Sequence, residues 1–518
     1  MSQAGPVRRE ANSNRQARRN NTAGLSMDDL KEKTIRGGVA RLSAQAANFS
    51  VRLVSMMVLA RMLGPKDFGL VGMVTAFTGV LGLFRDFGLS SAAVQRASVT
   101  DEQVSTLFWV NVIVGTLLGC ISIALAPVIA AFYHEPRLLA VTMALAAGFV
   151  FNAAGVQHGA LLQRQMRFTA LAVINTIALI VSTAIAIGGA LAGYGYWALV
   201  AMAITSPLIS TIGFWIATSW IPGKPRGGSE IRSMMHFGGT LTVNGLVIYI
   251  ATNCEKVLLG RFWGVDAIGL YGRAYQLVNI PTDNLNSAAG EVAFAALSRL
   301  QDDPQRLKNY FLKGYSLVLT LTLPLTITCT LFADDVIQVF LGPKWKDAAV
   351  IFRLLAPTIL VFAIANPLSW LLYSLGMIRR LLKMGLVITP IMIAAYCMGL
   401  PYGPKGVAFA YSTVMTLWLI PLVFWALHGT VISPRDILLE LSRPLASSIV
   451  AGGLAFGFRV ACGQVVPPLS RLVLECALLF TSFAVVLLFM TGQKSFYIDL
   501  LRGLKGRSSV EEKSLIVA

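Results

Sequence analysis

The chain predicts an all-α polytopic membrane protein of about fourteen transmembrane helices, arranged as two six-helix pseudo-repeats followed by two C-terminal helices. Three observations carry this. Of 518 residues, 55% are hydrophobic and 13% charged, with a mean hydropathy of +0.67, which is too apolar for a soluble protein of this size. Apolar runs near the roughly 20 residues needed to cross hydrocarbon as a helix recur about fourteen times. Finally, Arg61-Met62-Leu63-Gly64-Pro65-Lys66-Asp67-Phe68-Gly69-Leu70-Val71-Gly72 returns as Arg261-Phe262-Trp263-Gly264-Val265-Asp266-Ala267-Ile268-Gly269-Leu270-Tyr271-Gly272, with the Arg, three Gly and one Leu in register.

The spans are expected near 37–60, 69–95, 104–131, 138–157, 169–191, 196–219, 236–260, 267–297, 308–331, 348–375, 384–401, 404–427, 445–461 and 470–490. Residues 1–26 form a polar, basic tail (Arg8, Arg9, Arg15, Arg18 and Arg19 among them) with no signal-peptide pattern, read as disordered and cytoplasmic. Ser26 and Asp29 resemble a capping box that starts the helix entering span one. The first six-helix bundle is assigned to 27–222. Within it, Val128-Ile129 with Phe132 follows span three and Tyr194-Gly195 opens span six.

The second bundle, 223–430, repeats these marks as Val336-Ile337 with Phe340 and as Tyr402-Gly403. Six spans per unit is an even number, so both units enter from the same side, related by an axis along the membrane normal. Spans thirteen and fourteen (431–491) lie outside the duplication, and 492–518 is a second cytoplasmic tail. Pro207, Pro281, Pro324, Pro357, Pro367, Pro390 and Pro421 mark expected kinks or breaks.

Lys and Arg collect on one side of this arrangement, in the N-terminal tail and in loops carrying Arg164, Arg167, Arg299, Arg306, Arg379 and Arg380. The other side keeps few, among them Arg61, Lys66, Arg261 and Lys344. The bias places both termini in the cytoplasm. The formal charge of +18 is therefore a topology signal with attraction to anionic lipids, not a nucleic-acid footprint. The six cysteines and four histidines are scattered without ligand spacing, and no metal or cofactor is expected.

The segments Leu59 to Leu70, Asp86-Phe87-Gly88-Leu89-Ser90-Ser91-Ala92 with Gln95-Arg96, and Leu161-Leu162-Gln163-Arg164-Gln165-Met166-Arg167-Phe168 resemble the polysaccharide transporter branch of the multidrug/oligosaccharidyl-lipid/polysaccharide exporter superfamily. Within it the chain is similar to the Wzx-type and colanic-acid-type lipid-linked oligosaccharide flippases, over essentially everything after residue 26. The resemblance implies a V-shaped carrier in the bacterial inner membrane that moves undecaprenyl-pyrophosphate-linked oligosaccharides from the cytoplasmic to the periplasmic leaflet. A polysaccharide polymerase or copolymerase is a further expected partner.

A charge inside a span costs roughly 2.5–3.5 kcal/mol on insertion scales, so it is expected to face a cavity or the bundle interior. The cations of this kind are Arg52, Arg85, Lys256, Arg273 and Arg353, and guanidinium groups suit phosphate because they bind it bidentately and stay charged. The carboxylates Asp86, Glu255, Asp283 and Glu291 are candidates for coupling to an ion gradient, or for structural ion pairs. Asn48, Arg52 and Ser55 share a stripe of span one. Asn244, Thr252 and Glu255 lie close to one stripe of span seven, Tyr249, Asn253 and Lys256 to the next, and Arg273, Gln276 and Asp283 share a face of span eight. Arg61 and Arg261, inside the repeated motif, are expected to cap helix ends or meet head groups, and the motif itself to act as paired helix-turn hinges.

The competing functions are a peptidoglycan-precursor flippase, a drug or metabolite antiporter, and, more remotely, a membrane glycosyltransferase or polymerase. The last would need an extracytoplasmic acid-base constellation, and Asp334-Asp335 has no partner base or metal spacing in the sequence.

Overall fold

A computed structural model describes residues 49–84, 100–225, 229–462 and 466–490. Both tails, Asn48, Arg85 and Asp86 lie outside the described residues, as do the side chains of Asn244 and Glu291. The described chain is helical throughout, and it is a multi-pass membrane protein: ten of its stretches are long and apolar enough to cross a bilayer.

In chain order the helices are α1 (49–62), α2 (Pro65–Leu83), α3 (Asp101–Tyr133), α4 (Arg137–Arg164), α5 (Phe168–Leu191) and α6 (Tyr196–Thr218). The stretch Ser229–Ser298 is interrupted at Gly264, which divides it into α7 before and α8 after. Then come α9 (Pro304–Leu331), α10 (Ala348–Ser374), α11 (Ile378–Gly399), α12 (Gly403–Leu427), α13 (Pro434–Cys462) and α14 (Pro468–Val485). Helices α3, α4, α5 and α6 pack on one another, as do α8 with α10, α11 with α12, and α9 with α13 and α14.

Two expectations change. Helix α8 runs through Pro281 without a break, while Gly264, whose φ of 79° lies in the left-handed region open to glycine, marks the turn expected between spans seven and eight. Helix α13 starts at Pro434, eleven residues before the apolar run. Ser433 and Asp436 cap it reciprocally, and Lys308 pairs with Asp436 at 2.6 Å. Hydropathy misses this first part because it is polar.

The two copies of the repeated motif meet each other. Gly69 of α2 sits on the carbonyl of Val265, and Gly269 of α8 sits on the carbonyl of Pro65, so a Cβ at either position would collide with backbone. Both contacts join positions two hundred apart to each other's partners, as a two-fold relation requires. Lys66 and Asp266, also equivalent, approach to 3.8 Å. The expected hinges are thus an interlock between the bundles.

A segment after α9 completes this closed end. It forms a short helix, Ala333–Phe340, and a turn at Pro343–Trp345. The fully buried Trp345 donates from Nε1 to the Ala60 carbonyl at 2.7 Å, and Lys344 donates to the Met62 carbonyl at 2.9 Å. Arg61 donates to the Val339 carbonyl at 2.6 Å, so it caps a carbonyl of the opposite bundle. The pseudo-equivalent contacts are Arg261 over the Phe132 ring, at 5.8 Å, and Tyr133 against Gly260.

Asp334 and Asp335 fasten the last two helices here. Asp335 is fully buried and accepts from Arg471 of α14 (Nε at 3.1 Å), with Arg459 of α13 at 3.3 Å, while Asp334 pairs with Arg353 at 2.6 Å. Asp335→Ala takes the buried carboxylate from Arg471 and leaves Arg459 only its longer pair with Asp334, at 3.6 Å, a loss of about 3–5 kcal/mol for a buried pair. A clear fall in thermal unfolding temperature in detergent is expected. An unchanged midpoint would show that the network contributes nothing.

Candidate functional site

Beneath the closed end, α1, α2, α5, α6, α7 and α8 surround a cavity of about 1170 Å³. It extends from Phe68 and Gly269 under the interlock toward Phe49 of α1 and Asn284 of α8. These helices reach the cavity for a local reason. Helices α1, α7 and α8 carry polar stripes that lipid would not tolerate, and the glycines of α2 and α8 let the two bundles touch above while they part below.

Three cations line this space: Arg52 of α1, Lys256 of α7 and Arg273 of α8. Arg52 is exposed and forms no ion pair among the described residues. Lys256 donates to the Asn253 carboxamide oxygen at 2.7 Å, so Asn253 orients the ammonium without itself lining the cavity. The Arg273 guanidinium lies 3.9 Å from the centre of the Phe68 ring, across the bundle interface, and donates to Gln276. Stacking on an aromatic face fixes the plane of the guanidinium while its edge stays available. Asp283 is the carboxylate that lines the cavity. Among the described residues, three cations against one carboxylate give the cavity a net positive lining.

Other expected residues lie elsewhere. Arg353 is held by Asp334 and by the Thr330 carbonyl and does not line the cavity. Glu255 is buried inside the second bundle, and neither carboxyl oxygen has a hydrogen-bond partner among the described residues. Tyr271, Tyr275, Tyr396 and Tyr411 surround this region, with successive ring centres 5.6–6.3 Å apart. Ser55 turns away from Arg52's cavity face and accepts a hydrogen bond from Thr183 at 3.2 Å.

The structure also brings in residues that the sequence did not single out. Asn175, Ser206, Ser210, Asn279 and Asn284 all line the cavity. Their signal was present but weak, a lone amide in an apolar run and two serines beside Pro207.

The family described as "Polysaccharide biosynthesis protein" matches residues 58–350. The chain is 26% identical over 376 residues to the lipopolysaccharide biosynthesis protein WzxC of Escherichia coli (strain K12), covering 71% of this chain and 76% of that one. It is 23% identical over 313 residues to the succinoglycan biosynthesis transport protein ExoT of Rhizobium meliloti (strain 1021), covering 60% and 63%. Among solved structures it resembles the lipid II flippase MurJ in its inward closed conformation, with a TM-score of 0.69 and 14% identity over 90% of this chain and all of that one. That likeness is one of fold.

Proposed function

Because the chain belongs to this polysaccharide biosynthesis protein family, we propose that it is a flippase that carries undecaprenyl-pyrophosphate-linked oligosaccharides across the bacterial inner membrane by alternating access. The observation that carries this reading is the cavity between the bundles, closed at one end and lined by Arg52, Lys256 and Arg273. A pyrophosphate with its sugars cannot enter hydrocarbon alone, and guanidinium groups in a low-dielectric cleft supply the charge-assisted hydrogen bonds it loses on leaving water. The names of the relatives, which concern lipopolysaccharide and succinoglycan biosynthesis, support a polysaccharide precursor as cargo.

The distribution of Lys and Arg supports an orientation with both termini cytoplasmic and the interlock facing the periplasm. The conformation is then inward-facing, with the cavity reached from the leaflet where the cargo is made. Basic inner loops there favour anionic lipid heads. Glu255, enclosed and without a hydrogen-bond partner among the described residues, is the best-supported coupling carboxyl, and Asp283 in the cavity is the second.

Depleting the protein in its own cells is expected to trap lipid-linked oligosaccharide in the inner leaflet and to reduce surface polysaccharide, with recovery on re-expression. Normal surface polysaccharide without the protein would sink the reading. Glu255→Gln is expected to retain carrier binding but lose gradient-driven transport in proteoliposomes. Full transport by that variant would remove Glu255 from coupling and leave the flippase reading intact.

A further inference from the structure

Helix α14 lies outside the duplicated halves, and its buried face repeats at Leu472, Glu475, Leu479 and Phe483, the spacing of one helical stripe. A carboxyl therefore stands where the pattern calls for a fourth apolar side chain. Glu475 has no accessible surface, and neither of its carboxyl oxygens has a hydrogen-bond partner among the described residues. It sits about two turns from the start of α14 at Pro468, at the end of the molecule that the interlock closes.

Its charged neighbours are Arg471, one turn earlier on the same helix, Arg459 of α13, and Asp335 of the short helix Ala333–Phe340. Asp334 and Arg353 complete this group, and the thiols of Cys476 and of Cys329 on α9 are the other titratable groups nearby among the described residues. Arg471 donates to Asp335 from Nε at 3.1 Å, Arg459 lies 3.3 Å from Asp335 and 3.6 Å from Asp334, and Arg353 holds Asp334 at 2.6 Å. Three guanidinium groups thus share two carboxylates. A charged Glu475 would be a third, and it would claim Arg471 or Arg459, because an unpaired ion shut off from water costs far more than a neutral acid. Both arginines instead face Asp335, which is the arrangement that a neutral Glu475 permits.

Asp335 is the root of the segment that seals the cleft. In the same short helix the Val339 carbonyl accepts from Arg61, and the turn after it sets Trp345 against the Ala60 carbonyl. We propose that Glu475 is a proton-operated latch on this closed end. With its proton it leaves Arg471 and Arg459 on Asp335, and the cleft stays sealed. When the O–H bond breaks and the proton passes to water, the carboxylate draws an arginine from Asp335 and the seal loosens. Acid therefore holds the end shut, and the shut form is lost as pH rises. The two helices outside the duplication control its gate, whatever the cleft carries.

Tyr194 and Tyr402 are exposed, and the glycines after them adjoin Asp67 and Trp263 of the two motif copies. Nitroxide labels on Tyr194→Cys and Tyr402→Cys therefore read the separation of the bundles at the closed end. The full-length protein, in a background lacking other reactive thiols, is measured by pulsed electron paramagnetic resonance at about pH 5 and about pH 9, which span the range over which enclosed glutamates titrate. With Glu475 present, a short distance is expected to dominate in acid and to lose roughly half of its population or more to a longer one in base. Glu475→Gln, which cannot ionise, should keep the short distance at both. Asp335→Asn, which gives up the arginines whatever Glu475 does, should show the longer distance at both. A distance unmoved by pH with Glu475 present, a Glu475→Gln variant that still responds or is open in acid, or an Asp335→Asn variant that stays shut would overturn the proposal.

Discussion

Arg273→Ala is expected to reduce polysaccharide export by roughly 10- to 100-fold at unchanged membrane insertion, the equivalent of losing one charge-assisted contact of about 1.5–3 kcal/mol. Arg52→Ala should fall in the same range, because Arg52 is exposed in the cavity with no ion pair among the described residues to make it structural. Arg273→Lys separates charge from geometry. It keeps the cation but loses both the flat contact with Phe68, now 3.9 Å from ring centre to guanidinium, and bidentate reach, so an intermediate defect is expected. Arg353→Ala is the contrast: its partner is Asp334, at 2.6 Å, so its cost should appear in stability before transport. Normal export by both the Arg52 and Arg273 alanine variants would remove the phosphate site.

Gly269→Leu is expected to abolish export in a different way, by preventing the bundles from closing. No side chain fits between α8 and the Pro65 carbonyl, and backbone cannot yield as a flexible side chain can. A Lys66→Cys/Asp266→Cys pair, placed where the native side chains approach to 3.8 Å, reports on this directly in a background lacking other reactive thiols. It should crosslink efficiently with Gly269 present and poorly once Gly269→Leu is added. Gly69→Leu should behave likewise against Val265. Efficient crosslinking and export by either leucine variant would show that the contact is not a gate.

The class of fold was legible because hydropathy and an ungapped repeat are both linear signals, and spans with a continuous apolar run lie close to their expected places. The start of α13 was not legible, because its first turns are polar and capped by Ser433 and Asp436. The site was legible in part. Intramembrane charge pointed to Arg52, Lys256 and Arg273, which do share one cavity. The same cost argument selected Arg353, whose counter-ion nineteen residues away becomes visible only when the segment after α9 folds back. It passed over Ser206 and Ser210, which also line the cavity, since neutral hydroxyls carry no comparable penalty.

The reciprocal seating of Gly69 on Val265 and Gly269 on Pro65 has the form of an isologous interface, in which one patch meets its own copy and each contact occurs twice. A six-helix ancestor would have made this surface by pairing with itself. Positions 66 and 266 lie close to the axis of that relation, so in a homodimer a lysine there would face a lysine. Lys66 opposite Asp266 is a combination that an unfused symmetric dimer cannot encode. An exposed pair of this kind contributes only about 0–1 kcal/mol. Its significance is that joining the halves in one chain released them from identity, so that the cleft's cations need not recur in both: Arg52 corresponds to Thr252, and Lys256 to Met56.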